Sequence, residues 1–131
     1  MSDAFVAAQI QIQMSKQFPE EETLIYVPTL DAAIDAAVQK KVPSGLVKKS
    51  CNELFRDGIY DYDLYEETFV SLEKLAAIEN NAVFYKFCGR FYEEWGQIPR
   101  ALELYRQAFN IDPKSGVKTR IQKLERMLKT T

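Results

Sequence analysis

The residue types that carry most enzyme chemistry are scarce in this sequence. Its 131 residues include no histidine, which removes the commonest general base, the histidine-based catalytic triads and most zinc sites. The two cysteines, Cys51 and Cys88, are too few for a four-thiolate metal site. We interpret both as small buried side chains within helices, in preference to a disulfide pair. No metal site is predicted.

The carboxylates and glycines of the sequence do not indicate a catalytic site either. The run Glu20–Glu22 follows Pro19, and Glu66 and Glu67 lie near a predicted helix start, where acidic side chains stabilise the helix. The five glycines are scattered, so no phosphate-binding loop can be formed from them. The sequence therefore predicts a protein without catalytic residues or a cofactor, and not an enzyme.

Charge is unevenly distributed along the chain. The net charge is −2, yet residues 114–131 hold six basic side chains against Glu125 alone, which gives +5. A basic tail can bind nucleic acid, but a solvent-exposed helix face is the interpretation we favour. No apolar run approaches the ~20 residues of a membrane span, and the first residues lack the basic region of a secretory signal. We therefore expect a cytoplasmic protein that does not bind a membrane.

Helix-forming residues dominate the sequence, and its apolar residues mostly recur at spacings of three and four. The elements that position these groups are therefore predicted to be helices. Thr29 and Asp63 are predicted to cap two of the helices, and Gly96 and Pro113 to end two others. Before Pro19 the pattern favours a helix, although the alternation of glutamine with apolar residues also fits a strand. The predicted helices after Pro19 cover 30–42, 46–58, 64–79, 82–95, 99–111 and 116–129.

One stretch has a specific pattern. Residues 82–115, AVFYKFCGRFYEEWGQIPRALELYRQAFNIDPKS, resemble a single tetratricopeptide repeat (TPR), a helix–turn–helix unit of about 34 residues. Small residues at Gly89 and Ala101 would let the two helices approach closely, and large ones would fill the space between them. The residues that carry the resemblance are Tyr85, Cys88, Gly89, Tyr92, Gly96, Ala101, Tyr105, Ala108 and Pro113.

The resemblance implies an all-α fold, a short right-handed α-α superhelix of TPR-like helical hairpins. We expect one domain over residues 1–131. A single repeat cannot bury its own apolar face, so neighbouring helices must pack on it and a final helix must cap the array. We divide the chain into N-terminal helices in 1–43, a degenerate TPR-like hairpin in 44–81, the repeat in 82–115 and a capping helix in 116–131, with Val117, Ile121, Leu124 and Leu128 on its buried stripe.

In the TPR family the first helix of each repeat lines a concave groove that holds a peptide or a protein segment. The resemblance therefore implies a non-enzymatic protein–protein interaction module, such as a small adaptor or a subunit of a complex. Lys86 and Arg90 are four residues apart and share a helix face, and they resemble basic pairs that hold a carboxylate. Alternatively, Arg90 pairs with Glu94 on its own helix. The groove-facing positions are Val83, Lys86, Phe87, Arg90, Glu93 and Glu94.

Two other functions stay open. The first is a secretion-type or assembly-type chaperone that covers an aggregation-prone segment of its client. The second is nucleic-acid binding through the basic C-terminal helix, which we favour less than a protein partner. A homo-oligomer is compatible with any of these functions, and no small-molecule cofactor is expected.

Overall fold

The computed structural model describes residues 29–130. Within that part of the chain there are α-helices and no strands, so the all-α class is confirmed there. The predictions for residues 1–28 lie outside the described residues. The six helices are α1 (Leu30–Val38), α2 (Gly45–Asp57), α3 (Tyr62–Glu79), α4 (Ala82–Glu94), α5 (Ile98–Ile111) and α6 (Lys118–Lys129).

The chain divides into two compact units between Ser50 and Cys51, inside α2. In the first unit, the Thr29 side chain accepts a hydrogen bond from the Ala32 amide at 3.3 Å and caps α1, as predicted. The helix ends at Val38, short of the predicted Val42. Lys40 has a left-handed backbone (φ +59°), and the next amide bonds back to the Ala36 carbonyl, which closes the helix.

In the second unit the helices pack in chain order: α3 on α4, α4 on α5, and α5 on α6. Short connections between successive helices favour this arrangement. An aromatic stack joins α3 to α4, because the rings of Phe69 and Phe91 lie 4.1 Å apart at an angle of 12°. The largest fully buried side chains of the second unit are Tyr105, Phe69, Phe84, Phe91, Leu72, Leu75, Leu104 and Leu124.

The start of α3 differs from the sequence prediction. Asp61 caps this helix, since its carboxylate accepts a hydrogen bond from the Leu64 amide at 3.3 Å. The prediction of Asp63 as the cap is wrong, because Asp63 lies in the first helical turn. Asp63 has Glu66 three positions later, as in a capping box, and Asp61 has only Leu64 there, but Asp61 has the extended backbone that a cap requires.

The last helix buries a shorter stripe than the sequence predicts. Val117 and Leu124 are fully buried and Ile121 is partly buried, whereas Leu128 is exposed in the final turn. An ion pair of 2.8 Å between Arg106 and Glu125 links α5 to α6 beside this stripe. No helix between residues 29 and 130 has both the length and the apolar character needed to cross a bilayer.

Candidate partner-binding face

The hairpin of α4 and α5 positions the residues for which a binding role is predicted. A Cβ atom added to Gly89 would lie 2.8 Å from two carbons of the Tyr105 ring, so the ring occupies the space that a side chain at residue 89 would need. Ala101 is fully buried. Gly96, with φ +84°, makes the turn, and Pro99 lies in the first turn of α5. Small residues therefore set the close approach of these two helices.

Glu93 is drawn inward and joins three helices. The Tyr105 hydroxyl donates a hydrogen bond of 2.7 Å to Glu93 Oε1. Burial and this hydrogen bond raise the pKa of Tyr105. The Glu93 carboxylate, only 15% exposed, also pairs with Arg120 of α6 at 3.0 Å and lies 4.0 Å from the Lys123 ammonium. Although Glu93 is predicted to face a groove, its carboxylate connects α4 to α5 and α6.

Lys86 also reaches toward the last helix. Its ammonium group donates a hydrogen bond of 3.1 Å to the Ser115 carbonyl, in the turn before α6. The side chain is partly buried. Lys86 therefore holds the turn against α4 in this structure, while part of its surface stays accessible to solvent.

Arg90 has two partners in the same unit. Its Nε atom lies 2.7 Å from Glu94 Oε2, so the alternative interpretation from the sequence, an ion pair along the helix, is the arrangement observed. Its guanidinium carbon also lies 4.4 Å from the centre of the Phe55 ring. Phe87 stacks on that ring too, with centroids 6.0 Å apart. Phe55, from α2, is only 7% exposed and supports Arg90 and Phe87 from beneath.

These contacts define a candidate face on α4. Val83, 38% exposed, and Phe87, partly buried, supply apolar contact surface four residues apart. The face can bind an apolar side chain of a partner and exchange ion pairs with an acidic one. The joint carboxylate-binding role of Lys86 and Arg90 stays a prediction. The candidate face consists of Val83, Lys86, Phe87, Arg90 and Glu94.

Sequence reasoning missed the groups that contact the face from elsewhere in the chain. Arg120 lies 27 residues beyond Glu93, and Phe55 comes before α3. No local spacing signals either contact. The sequence shows the positive charge of residues 114–131, but it does not show which of these cations pair with Glu93.

The remaining repeat positions mainly form the core. Tyr85, Cys88, Tyr92 and Ala108 are buried, whereas Pro113 is exposed beyond the end of α5. The Cys88 thiol donates to the Phe69 carbonyl with a sulfur–oxygen distance of 3.5 Å. Burial raises the pKa of Cys51 to about 12 and that of Cys88 well above its ordinary value. Both are free, buried thiols, as the sequence predicted.

No protein-family model, curated protein or solved structure matches this chain. The TPR resemblance therefore stays a prediction that rests on the residues named above. Among residues 29–130, no group of three or more cysteine, aspartate or glutamate side chains is placed to hold a metal ion.

Proposed function

We propose that this chain is a non-enzymatic protein-interaction module, and that the candidate face binds an acidic segment of a partner protein. We further propose that its helices form a short right-handed superhelix of TPR-like hairpins. The close approach of Gly89 to Tyr105, the buried Ala101 and the turn at Gly96 support this architecture.

The observation that carries the functional proposal is the juxtaposition of apolar and cationic groups on α4. Val83 and Phe87 leave apolar surface accessible, and Lys86 and Arg90 alternate with them along the helix. Because Glu93 points toward α5 and α6, only Glu94 opposes these two cations on the face. The face therefore favours a partner segment that presents an apolar side chain next to a carboxylate.

The energies permit such an exchange of partners. Arg90 would give up an exposed pair with Glu94, and pairs of that kind contribute about 0.2–1 kcal/mol. Lys86 can keep its hydrogen bond to the Ser115 carbonyl, because an ammonium group has three donors. A partner carboxylate held by charge-assisted hydrogen bonds from both cations would gain about 1.5–3 kcal/mol per bond. The difference exceeds the roughly 1.4 kcal/mol that corresponds to a tenfold change in affinity. Exchange is therefore favourable when the partner segment is ordered at little cost.

Selection from a library of random displayed peptides tests this specificity directly. We expect the full chain to enrich sequences that combine aspartate or glutamate with a large apolar residue. Calorimetric titration of a selected peptide should then show binding at least tenfold weaker for the double variant Lys86→Ala, Arg90→Ala. Val83→Asp should also weaken the binding of this peptide, because it places a like charge beside the peptide's carboxylate.

A control variant separates the face from general electrostatics. Arg126→Ala, Lys129→Ala removes the same charge from the last turn of α6, about 12 Å or more along the helix axis from Lys118. Its peptide affinity should stay within about twofold of the parent, because charges beyond a Debye length of ~10 Å are screened in ~0.1 M salt. Equal losses in both double variants would mean that net charge, and not the candidate face, governs binding. Enrichment of basic peptides would contradict the proposal directly.

A further inference from the structure

The turn before α3 and the first turns of that helix expose apolar side chains. Tyr60 is 93% exposed and Leu64 is 69% exposed. Residues 57–67 contain five acidic side chains and no basic one. Among the described residues, Asp63, Glu66 and Glu67 form no ion pair. We name this surface the acidic patch: Tyr60, Leu64, Asp57, Asp61, Asp63, Glu66 and Glu67.

The last helix carries a surface of the opposite charge. Lys118, Arg126 and Lys129 are exposed, and their spacing of eight and three residues places them on one side of α6. None of the three forms an ion pair within the described part of the chain, whereas Arg120 and Lys123 are engaged by Glu93. Met127, 41% exposed, lies on the opposite side of the helix from Lys118 and is not part of this surface. We name Lys118, Arg126 and Lys129 the basic patch.

The two patches lie on the first and last members of a packed series. Because α3 packs on α4, α4 on α5 and α5 on α6, the acidic patch is carried by one end of the series and the basic patch by the other. The two patches carry charges of opposite sign, and the acidic patch also exposes the apolar side chains of Tyr60 and Leu64. A second copy of the chain supplies both complements at once.

We propose that copies of this chain associate head to tail, with the acidic patch of one copy against the basic patch of the next. Such a contact joins two different surfaces, so each added copy leaves one patch of each kind unused and growth continues until the copies close into a ring. Tyr60 and Leu64 supply apolar surface, against which the aliphatic stems of the lysine and arginine side chains can pack, and the charges set the orientation and the choice of partner. The patches are small, so the association is weak and sensitive to salt. The contact uses neither Arg90 nor Val83, and it is independent of the proposed peptide binding.

Nucleic acid is the competing occupant of the basic patch. A polyanion would neutralise Lys118, Arg126 and Lys129 but would leave Tyr60 and Leu64 exposed beside like charges. Head-to-tail association accounts for both surfaces, and for this reason we favour it.

Sedimentation velocity of the full chain over a concentration series tests the proposal. At about 0.1 M NaCl, where the Debye length is ~10 Å, the average mass should rise with concentration above the 15.1 kDa of one chain and pass twice that value. At about 1 M NaCl, where the Debye length is ~3 Å, the mass should return to that of one chain. A mass that equals one chain at every concentration, or that stops at two, would overturn the proposal.

Charge-swap variants test which surfaces meet. Asp63→Lys, Glu66→Lys, Glu67→Lys changes the charge of the acidic patch from −5 to +1 without touching the Asp61 cap, and Lys118→Glu, Arg126→Glu changes that of the basic patch from +3 to −1. Each variant alone should stay at the mass of one chain, whereas an equimolar mixture should associate again, because each contact then pairs opposite charges. Circular dichroism verifies that both variants keep the parent's helicity. A mixture that stays monomeric, while the parent associates, would refute this choice of surfaces.

Trp95 provides a local reporter. It is the single tryptophan, and its ring stacks on Tyr62, next to Asp61, with centroids 6.1 Å apart. Association should shift Trp95 emission in the parent and in the mixture, but not in either variant alone. A parent that stays monomeric and binds a short DNA duplex, with affinity lost in the Lys118→Glu, Arg126→Glu variant, would assign the basic patch to nucleic acid and reject self-association.

Discussion

Gly89→Ala probes the closest approach between α4 and α5. The new methyl carbon would lie 2.8 Å from Cδ1 and Cε1 of Tyr105, whereas carbon atoms in favourable contact lie about 3.5–4.0 Å apart. The ring cannot move aside easily, because Tyr105 is fully buried and its hydroxyl is bonded to Glu93 at 2.7 Å. Either α4 and α5 separate by several tenths of an ångström or the hydrogen bond lengthens.

Two opposing free energies decide the sign of the effect. Overpacking of a buried contact costs about 1–3 kcal/mol, while replacement of glycine by alanine inside a helix gains about 1 kcal/mol. We therefore expect a net destabilisation of roughly 1 kcal/mol, which lowers the midpoint of thermal unfolding by about 4 °C in a chain of this size. Urea unfolding followed by far-UV circular dichroism gives the free energy directly.

Gly45→Ala is the matched control. Gly45 lies at the start of α2 and has no atom within 4 Å of an added Cβ, so the substitution should leave stability unchanged or raise it by up to ~1 kcal/mol. In the Tyr105→Phe background, where the ring has lost its bond to Glu93, Gly89→Ala should cost less, with a coupling of at least ~0.5 kcal/mol. If Gly89→Ala stabilised the protein as much as Gly45→Ala, the close approach of the helices would be refuted.

Three further predictions concern the core and its cap. Ala101→Leu should destabilise by about 1–3 kcal/mol, because Ala101 is fully buried, and thermal midpoints equal to the parent's would place it outside a tight contact. Deletion of residues 116–131 removes the buried Val117 and Leu124 and should cause aggregation detectable by light scattering; a soluble, equally stable truncated chain would show that α6 does not cap the core. The Cys51 and Cys88 thiols should react with a thiol reagent at pH 8 far more slowly in the folded chain than in urea. Burial raises the pKa of Cys51 from 9.0 to about 12 and that of Cys88 well above its ordinary value, so the stability that the two thiols contribute is intact below pH 9 and lost as the pH rises toward 12. Each thiol should lower the unfolding free energy by more than about 1 kcal/mol between pH 8 and pH 10, which gives a total fall of about 2–3 kcal/mol.

Local chemistry made much of the fold predictable. Thr29 caps α1, and Gly96 and Pro99 mark the turn between α4 and α5, as predicted from the sequence. These boundaries depend on one or two residues and their own backbone, so spacing is enough to find them. The spacing of apolar residues likewise identified Val117 and Leu124 as buried.

Features that depend on distant partners were not predictable in the same way. Ile78 continues the apolar pattern of α3 but is exposed, because spacing does not tell where a neighbouring helix ends. Asp61 and Asp63 offer the same side chain, and only the backbone conformation of Asp61 distinguishes them. The role of Glu93 depends on Tyr105 and Arg120, which converge on it from two other helices.

The inward turn of Glu93 also decides the charge of the candidate face. With both Glu93 and Glu94 on the surface, the charges of Lys86 and Arg90 would be balanced and an acidic partner would gain little. Tyr105, Arg120 and Lys123 hold the Glu93 carboxylate away from the face. Lys86 and Arg90 are then opposed on the face by Glu94 alone. The contact that joins α6 to the hairpin therefore also gives the face its net positive charge, which couples the packing of the last helix to the partner that the face would select.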